Sequence, residues 1–253
     1  MLKIEQLTKQ FGGNVAVNSV DLEVKQGNIT AIIGPNGAGK TTFFNLISGT
    51  FRPTSGRLIL EGQDVTNKPS YQMARLGVAR TFQTTKLFEQ ATVIDNLIVG
   101  HRLRTKTGLL GALFRTKQYR QEEEKCREKA MEALRFVDAE QLAHRPVANI
   151  SQEAKKRVAI ALALATDPKI VLLDEPAGGI NADETNGLAE LVRKMKQAGY
   201  TVCIIEHKMQ MIMNLADRIM VLNQGAKIAE GTPSEISRNE TVIQAYLGGA
   251  YHA

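Results

Sequence analysis

Residues Gly34-Pro35-Asn36-Gly37-Ala38-Gly39-Lys40-Thr41-Thr42 have the make-up needed to hold a chain of phosphates. Gly34, Gly39, Lys40 and Thr41 occupy the fixed positions of the pattern G-x-x-x-x-G-K-[ST]. Glycine lets backbone N–H groups close around an anion. Lys40 can then reach the β- and γ-phosphates, and the Thr41 hydroxyl can take a position on Mg²⁺. A chance match in a chain of this length is on the order of 1%, given the usual glycine frequency. A second constellation follows at Ile170-Val171-Leu172-Leu173-Asp174-Glu175-Pro176. An apolar run ending in carboxylates delivers them to the C-terminal end of a strand, where ligands of open α/β sheets bind. Asp174 is placed to hold the Mg²⁺ shell, and Glu175 to polarise a water against the γ-phosphate. Binding of a nucleoside triphosphate and its hydrolysis is the implied chemistry.

The flanking segments supply the elements such a site needs. Asn28 to Ile33 is a buried-strand pattern leading into the loop, and Thr41 to Gly49 opens a helix whose N-terminus favours anions. Strand patterns run over Leu2 to Phe11, Val15 to Val24, Arg57 to Leu60, Val78 to Thr81, Ile170 to Asp174, Thr201 to Ile205 and Arg218 to Leu222. Helical patterns cover Gln121 to Val137, Ser151 to Ala165, Asp183 to Gln197 and Met209 to Leu215. Strands alternating with helices around a phosphate loop predict an α/β fold with a mixed or largely parallel sheet. The helical stretch 101–165 reads as a subdomain inserted between two halves of a catalytic core, 1–100 and 166–253.

Composition narrows the setting. A chain of 253 residues with 43% hydrophobic and 23% charged residues is long enough and ordinary enough for a soluble globular protein. Apolar runs stay far below the ~20 residues of a membrane helix. Met1-Leu2-Lys3-Ile4-Glu5 goes directly into an alternating strand pattern, so no secretory leader is expected. Cys126 and Cys203 make no disulfide framework, and reduced cytosolic thiols are expected. The net charge of +6 and pI near 9.3 fit nucleic acid, an anionic membrane surface or merely a solvated basic surface. Arg102, Arg104, Lys106, Arg115, Lys117 and Arg120 surround an apolar stretch, Leu109 to Phe114, with no acidic residue among them. This segment reads as membrane-proximal or as a solvated loop.

At these residues the chain resembles the ATP-binding subunits of ABC transporters, over essentially its whole length. The resemblance implies an ABC ATPase cassette with a mixed sheet core, an N-terminal antiparallel β subdomain and the inserted helical subdomain. It implies that Phe11 stacks on adenine and that Gln83, in Arg80-Thr81-Phe82-Gln83, senses Mg²⁺ and touches membrane subunits. Ala177 to Asn181 takes the position of the family's D-loop, and His207 that of its switch histidine. Phe11-Gly12-Gly13, Arg80 to Gln83, Thr92-Val93-Ile94-Asp95-Asn96-Leu97, and Gly231-Thr232-Pro233 with Val242 to Gly248 resemble the LivG-type ATPases of branched-chain amino acid importers. The expected role is therefore an ATPase at the cytoplasmic face of the cell membrane, peripheral to two integral permease subunits and served indirectly by a periplasmic solute-binding protein. ATP and Mg²⁺ are the expected cofactors, and no nucleic acid is expected. The alternatives are an importer of urea, amides or other amino acids, or a soluble ABC ATPase acting on nucleic acid or the ribosome.

One departure from the family pattern bears on partners. Where the family carries Leu-Ser-Gly-Gly-Gln, this chain has Ile150-Ser151-Gln152-Glu153-Ala154. Ser151 is retained as a contact to ATP held by a partner, but both glycines are replaced. Side chains at Gln152 and Glu153 would crowd the partner's γ-phosphate, and a Glu153 charge would repel it. A heterodimer with a second ATPase bearing intact glycines is the arrangement expected. Asn181, where many members have Asp, is a smaller departure.

Overall fold

The computed structural model describes residues 1–81, 87–101 and 116–248. The chain divides into two compact units, residues 1–80 with 169–253, and residues 81–168.

The first unit contains two sheets. β1 (Leu2–Phe11), β2 (Asn14–Val24), β4 (Ser55–Leu60) and β5 (Gln63–Asp64) form an antiparallel sheet in the order β2-β1-β4-β5. The other sheet has six strands in the order β10-β9-β3-β8-β7-β6. Here β3 (Ile29–Ile33), β6 (Val78–Arg80), β7 (Ile170–Asp174), β8 (Thr201–Ile205) and β9 (Arg218–Asn223) run parallel, and β10 (Ala226–Gly231) is antiparallel to β9. Every residue of β3, β7 and β8 is buried, as expected of parallel strands covered on both faces.

Helix α1 (Lys40–Ile47) is the keystone of this unit. Phe43, Phe44, Leu46 and Ile47 are all fully buried, so the helix needs apolar cover on more than one side. It shares one core with Leu2, Leu7, Val20, Leu22 and Val24 of the antiparallel sheet and with Ile32, Leu172, Cys203 and Leu222 of the mixed sheet. Burying two phenylalanines, at about 1.5–3 kcal/mol each, gives the layers a strong reason to close on this helix. Short α2 (Ser70–Arg75) leads into β6, and α6 (Ala182–Gln197) packs on β8 and α7 (Met209–Leu215). α8 (Pro233–Ser237) and α9 (Glu240–Gly248) follow β10.

The second unit is helical. α3 (Val93–His101), α4 (Lys117–Phe136) and α5 (Gln152–Leu164) pack on one another, burying Val93, Leu97, Ala130, Leu134, Val158 and Ala161. The sequence pattern puts the start of this insert near residue 101. The compact unit begins at Thr81, because the apolar face of α3 finds its partners on α4 and α5. α4 also starts earlier than its apolar spacing suggests, where the Thr116 hydroxyl accepts the Tyr119 N–H at 3.3 Å. Thr92 hydrogen-bonds Asp95 at the start of α3, while buried Asn96 accepts the Phe88 N–H at 2.7 Å and donates back to the Phe88 carbonyl. Residues 92–97 thus have a structural task of their own. The basic-apolar segment from 102 to 115 lies outside the described residues, while Lys117 and Arg120 are exposed on α4. Among the described residues no helix is long and apolar enough to cross a membrane.

Asn181 has a local explanation. It is the N-cap of α6, accepting the Glu184 N–H at 2.9 Å, while its own N–H donates to the Glu184 carboxylate at 2.9 Å. Asn and Asp cap helices about equally well. Chemical denaturation should therefore find Asn181→Asp near neutral and Asn181→Ala destabilised by about 1 kcal/mol. An Asp variant that loses as much as Ala would refute the capping explanation.

Candidate active site

The phosphate loop joins β3 to α1, and its glycines are sterically required. Gly34 has φ +153°, and a Cβ there would lie 2.0 Å from the Leu222 carbonyl oxygen. Gly39, the residue capping α1, has φ +96°, and its Cβ would meet the Ala16 carbonyl at 2.3 Å. Lys40 is buried, and its ammonium donates to the carbonyls of Gly34 at 2.8 Å and Pro35 at 2.9 Å. Burial pushes the Lys40 pKa below its ordinary 10.5, with the Glu175 carboxylate acting weakly in the opposite direction.

The loop from Asn36 to Thr42 opens on a cleft of ≈ 490 Å³, which Asn14, Val15, Ala16, Glu175, His207, Gln224 and Gly225 also line. A larger groove of ≈ 610 Å³ along β1, β2 and β4 includes no loop residue, and its Lys3 and Arg57 both pair with Glu5. The chemistry therefore belongs to the smaller cleft. The sequence gives no chemical reason to count Asn14 to Ala16 or Gln224-Gly225 as site residues. Gln224 (φ +47°) and Gly225 (φ +80°) make the two-residue turn between β9 and β10, and Gly225 donates its N–H to the Ala38 carbonyl at 3.1 Å. The Gln-Gly dipeptide between apolar strands was the available signal, but it marks a turn and not its neighbour.

The carboxylates sit where the strand pattern placed them. Asp174 ends β7, buried, and accepts a hydrogen bond from Arg80 at 2.7 Å. The same guanidinium donates to Asn45 at 2.7 Å and Ser48 at 3.0 Å, tying the end of α1 to Asp174. Glu175 follows with φ +46°, a conformation uncommon for a non-glycine residue and often found at functional sites. Its Oε1 is 2.7 Å from His207 Nε2. A carboxylate only accepts, so the imidazole is the donor. A carboxylate and an imidazole facing a phosphate loop can accept a proton from water and hold a phosphoryl oxygen.

Other expected site residues are less directly placed. Phe11 is 46% exposed at the end of β1, its ring edge-on to Phe51 at 5.5 Å and under the Lys9 ammonium at 4.9 Å. It is not among the residues lining the cleft. Gln83 lies outside the described residues. In the helical unit Ser151 caps α5, its hydroxyl accepting the Ala154 N–H at 3.1 Å. Glu153 forms an ion pair with Arg157 one turn further along the same helix. The same Arg157 guanidinium lies 3.8 Å from Asp138, so it is shared between two carboxylates.

The Thr41 hydroxyl and Asp174 carboxylate are hard oxygen donors on α1 and on the strand packed beside it. This set fits Mg²⁺, which takes one or two protein oxygens and completes its shell with phosphate and water. A phosphate loop feeding the helix at the centre of this two-sheet unit, joined in the chain to a helical unit, makes a phosphate-loop nucleotide-binding fold.

Comparison with known proteins agrees. The ABC transporter family profile matches residues 17–178, and a profile for branched-chain amino acid ATP-binding cassette transporters matches 226–252. The chain is 41% identical over 251 residues to the high-affinity branched-chain amino acid transport ATP-binding proteins BraF of Pseudomonas aeruginosa and LivG of Escherichia coli, covering 99% of this chain and 98% of each relative. The ADP conformation of an ATP-binding cassette of an ABC transporter superimposes with a TM-score of 0.86 at 34% identity, covering 98% of both chains. This protein belongs to the family of ABC transporter ATP-binding subunits.

The lowered Lys40 pKa has a measurable consequence. Phosphate oxygens favour the ammonium, so binding should be accompanied by proton uptake where Lys40 is partly neutral. ATP affinity, measured by calorimetry, should fall as pH rises from neutral toward 10.5, with the fall beginning earlier than an unperturbed lysine would give. Affinity flat across that range would argue against the ammonium as the phosphate contact.

Proposed function

We propose that this chain is the ATP-hydrolysing subunit of an importer for branched-chain amino acids, working at the cytoplasmic face of the membrane. The 2.7 Å pairing of Glu175 with His207 in the phosphate-loop cleft carries the hydrolytic part of this reading. The substrate class is supported by the near full-length identity to BraF and LivG and by the C-terminal profile match. The two compact units act together as one ATPase cassette, the helical one being the insert.

In this reading Gly34 to Thr42 hold the phosphates and Phe11 stacks on adenine. Glu175 takes the proton of the attacking water, and His207 holds the γ-phosphate and orients that water. Thr41, Gln83 and Asp174 would hold Mg²⁺, which supplies charge neutralisation of the β- and γ-phosphates when bound. Two permease subunits receive the work, and a solute-binding protein delivers the amino acid. Glu175→Gln should retain ATP binding but lower turnover of the assembled complex by about 10²–10⁴-fold. Near-normal turnover would remove the general-base assignment.

The partner across the ATP sites is proposed to be a second, different ATPase. Ser151 here faces ATP held by that partner, but Gln152 and Glu153 replace small residues. Arg157 pairs with Glu153 but also lies 3.8 Å from Asp138, so both the bulk of these side chains and the Glu153 charge oppose the partner's phosphate. The purified chain alone should hydrolyse ATP weakly, and the double variant Gln152→Gly, Glu153→Gly should raise its rate. Full activity of the unmodified chain as a homodimer would overturn the heterodimer.

A further inference from the structure

Glu206 follows β8 and is only 3% exposed, an expensive place for a carboxylate unless hydrogen bonds replace its lost water. Its two oxygens serve two different turns. Oε1 accepts the Ala177 N–H at 2.6 Å, from the turn after β7. Oε2 accepts the N–H groups of His207 at 2.9 Å and Lys208 at 3.3 Å, from the turn after β8. Lys208 ties the same segments again, donating to the Ile180 carbonyl at 3.0 Å and the Thr185 hydroxyl at 2.6 Å. β7 and β8 are parallel neighbours with Asp174 opposite Ile205, so the two turns leave the sheet side by side. Glu175 and His207 stand on those turns.

We propose that Glu206 is a positioning residue for hydrolysis, its carboxylate bridging the turns after β7 and β8 so that His207 and Glu175 keep a fixed separation. The inference rests on the reading of that pair as the hydrolytic groups. Glu206 does not line the cleft, so it acts through the backbone and not through the nucleotide. An amide at this position has one acceptor oxygen and can serve only one turn, leaving an N–H of the other against its NH₂ group. The backbone of segment 177–181 would then shift relative to His207, and small misplacements of this kind cost roughly 10–100-fold in rate.

The test compares Glu206→Gln, Glu206→Asp and Glu175→Gln in the assembled transporter, with ATP affinity measured on the full-length chain. Glu206→Gln should lower kcat about 10–100-fold with ATP affinity within about twofold of the parent. Glu206→Asp, which keeps two acceptor oxygens, should recover part of the rate. Added to Glu175→Gln, the substitution Glu206→Gln should bring no further loss. Unchanged kcat in Glu206→Gln, or equal losses of kcat and ATP affinity, would overturn the proposal. If Glu206→Gln does not assemble, nitrogen-labelled histidine NMR of full-length Glu206→Asp decides: the His207 ring signals should move while those of His144 stay, and unmoved His207 signals overturn it. Normal turnover in Glu175→Gln would instead overturn the hydrolytic reading itself. Loss there with normal turnover in Glu206→Gln would reject this inference alone.

Discussion

Burial of α1 between two sheets is the constraint on which the rest of the first unit depends. A helix bearing Phe43, Phe44, Leu46 and Ile47 must bury most of its surface, so the antiparallel and mixed sheets both cover it and leave its first turn at the cleft. That cover fixes where the helix begins, and the phosphate loop must bridge from β3 to that point. The loop runs so close to neighbouring backbone that Gly34 and Gly39 have no room for a side chain. Glycine costs roughly 0.5–1 kcal/mol of chain entropy in ordered structure, which the several kilocalories from the buried phenylalanines outweigh. The β9–β10 turn completes the enclosure, with Gly225 bonded to Ala38 on the loop side and to Asn18 of β2.

Parallel pairing explains why the phosphate loop, Glu175 and His207 converge. β3, β8 and β7 are adjacent, so the loop after β3, the turn carrying Glu175 and the turn carrying His207 emerge at one edge of the sheet. The sheet alone brings them near. Buried polar contacts then hold them: Arg80 links Asp174 to Asn45 and Ser48, and Glu206 links Ala177 to His207. Buried ionic groups of this kind are costly, and at both places their contacts define geometry at the cleft.

The helical unit supplies the surroundings of an unusual sequence feature. At the start of α5, replacement of small residues by Gln152 and Glu153 suggests an electrostatic conflict with phosphate. In the structure Glu153 pairs with Arg157 in the i, i+4 position, and the same guanidinium lies 3.8 Å from Asp138, so one cation is shared between two carboxylates. Ser151 keeps its cap, so the helix terminus is intact even though its neighbours differ.

The sequence by itself determined the phosphate loop, the strand ending in Asp174 and Glu175, the alternation of strands and helices, and the family. These features are local: motif spacing and apolar periodicity act within a few residues. It also put His207 just beyond a strand, because the run from Val202 to Ile205 is unbroken and apolar. Only the tertiary structure decided that Asn14 to Ala16 and Gln224-Gly225 line the cleft, that Arg80 holds Asp174, and that Glu206 bridges two turns. Ala177 and Glu206 are 29 positions apart and Arg80 and Asp174 94 apart. No periodicity couples residues at such separations. They meet because β6, β7 and β8 pair side by side, and hydrogen bonding between strands, not sequence proximity, sets which chain segments become neighbours.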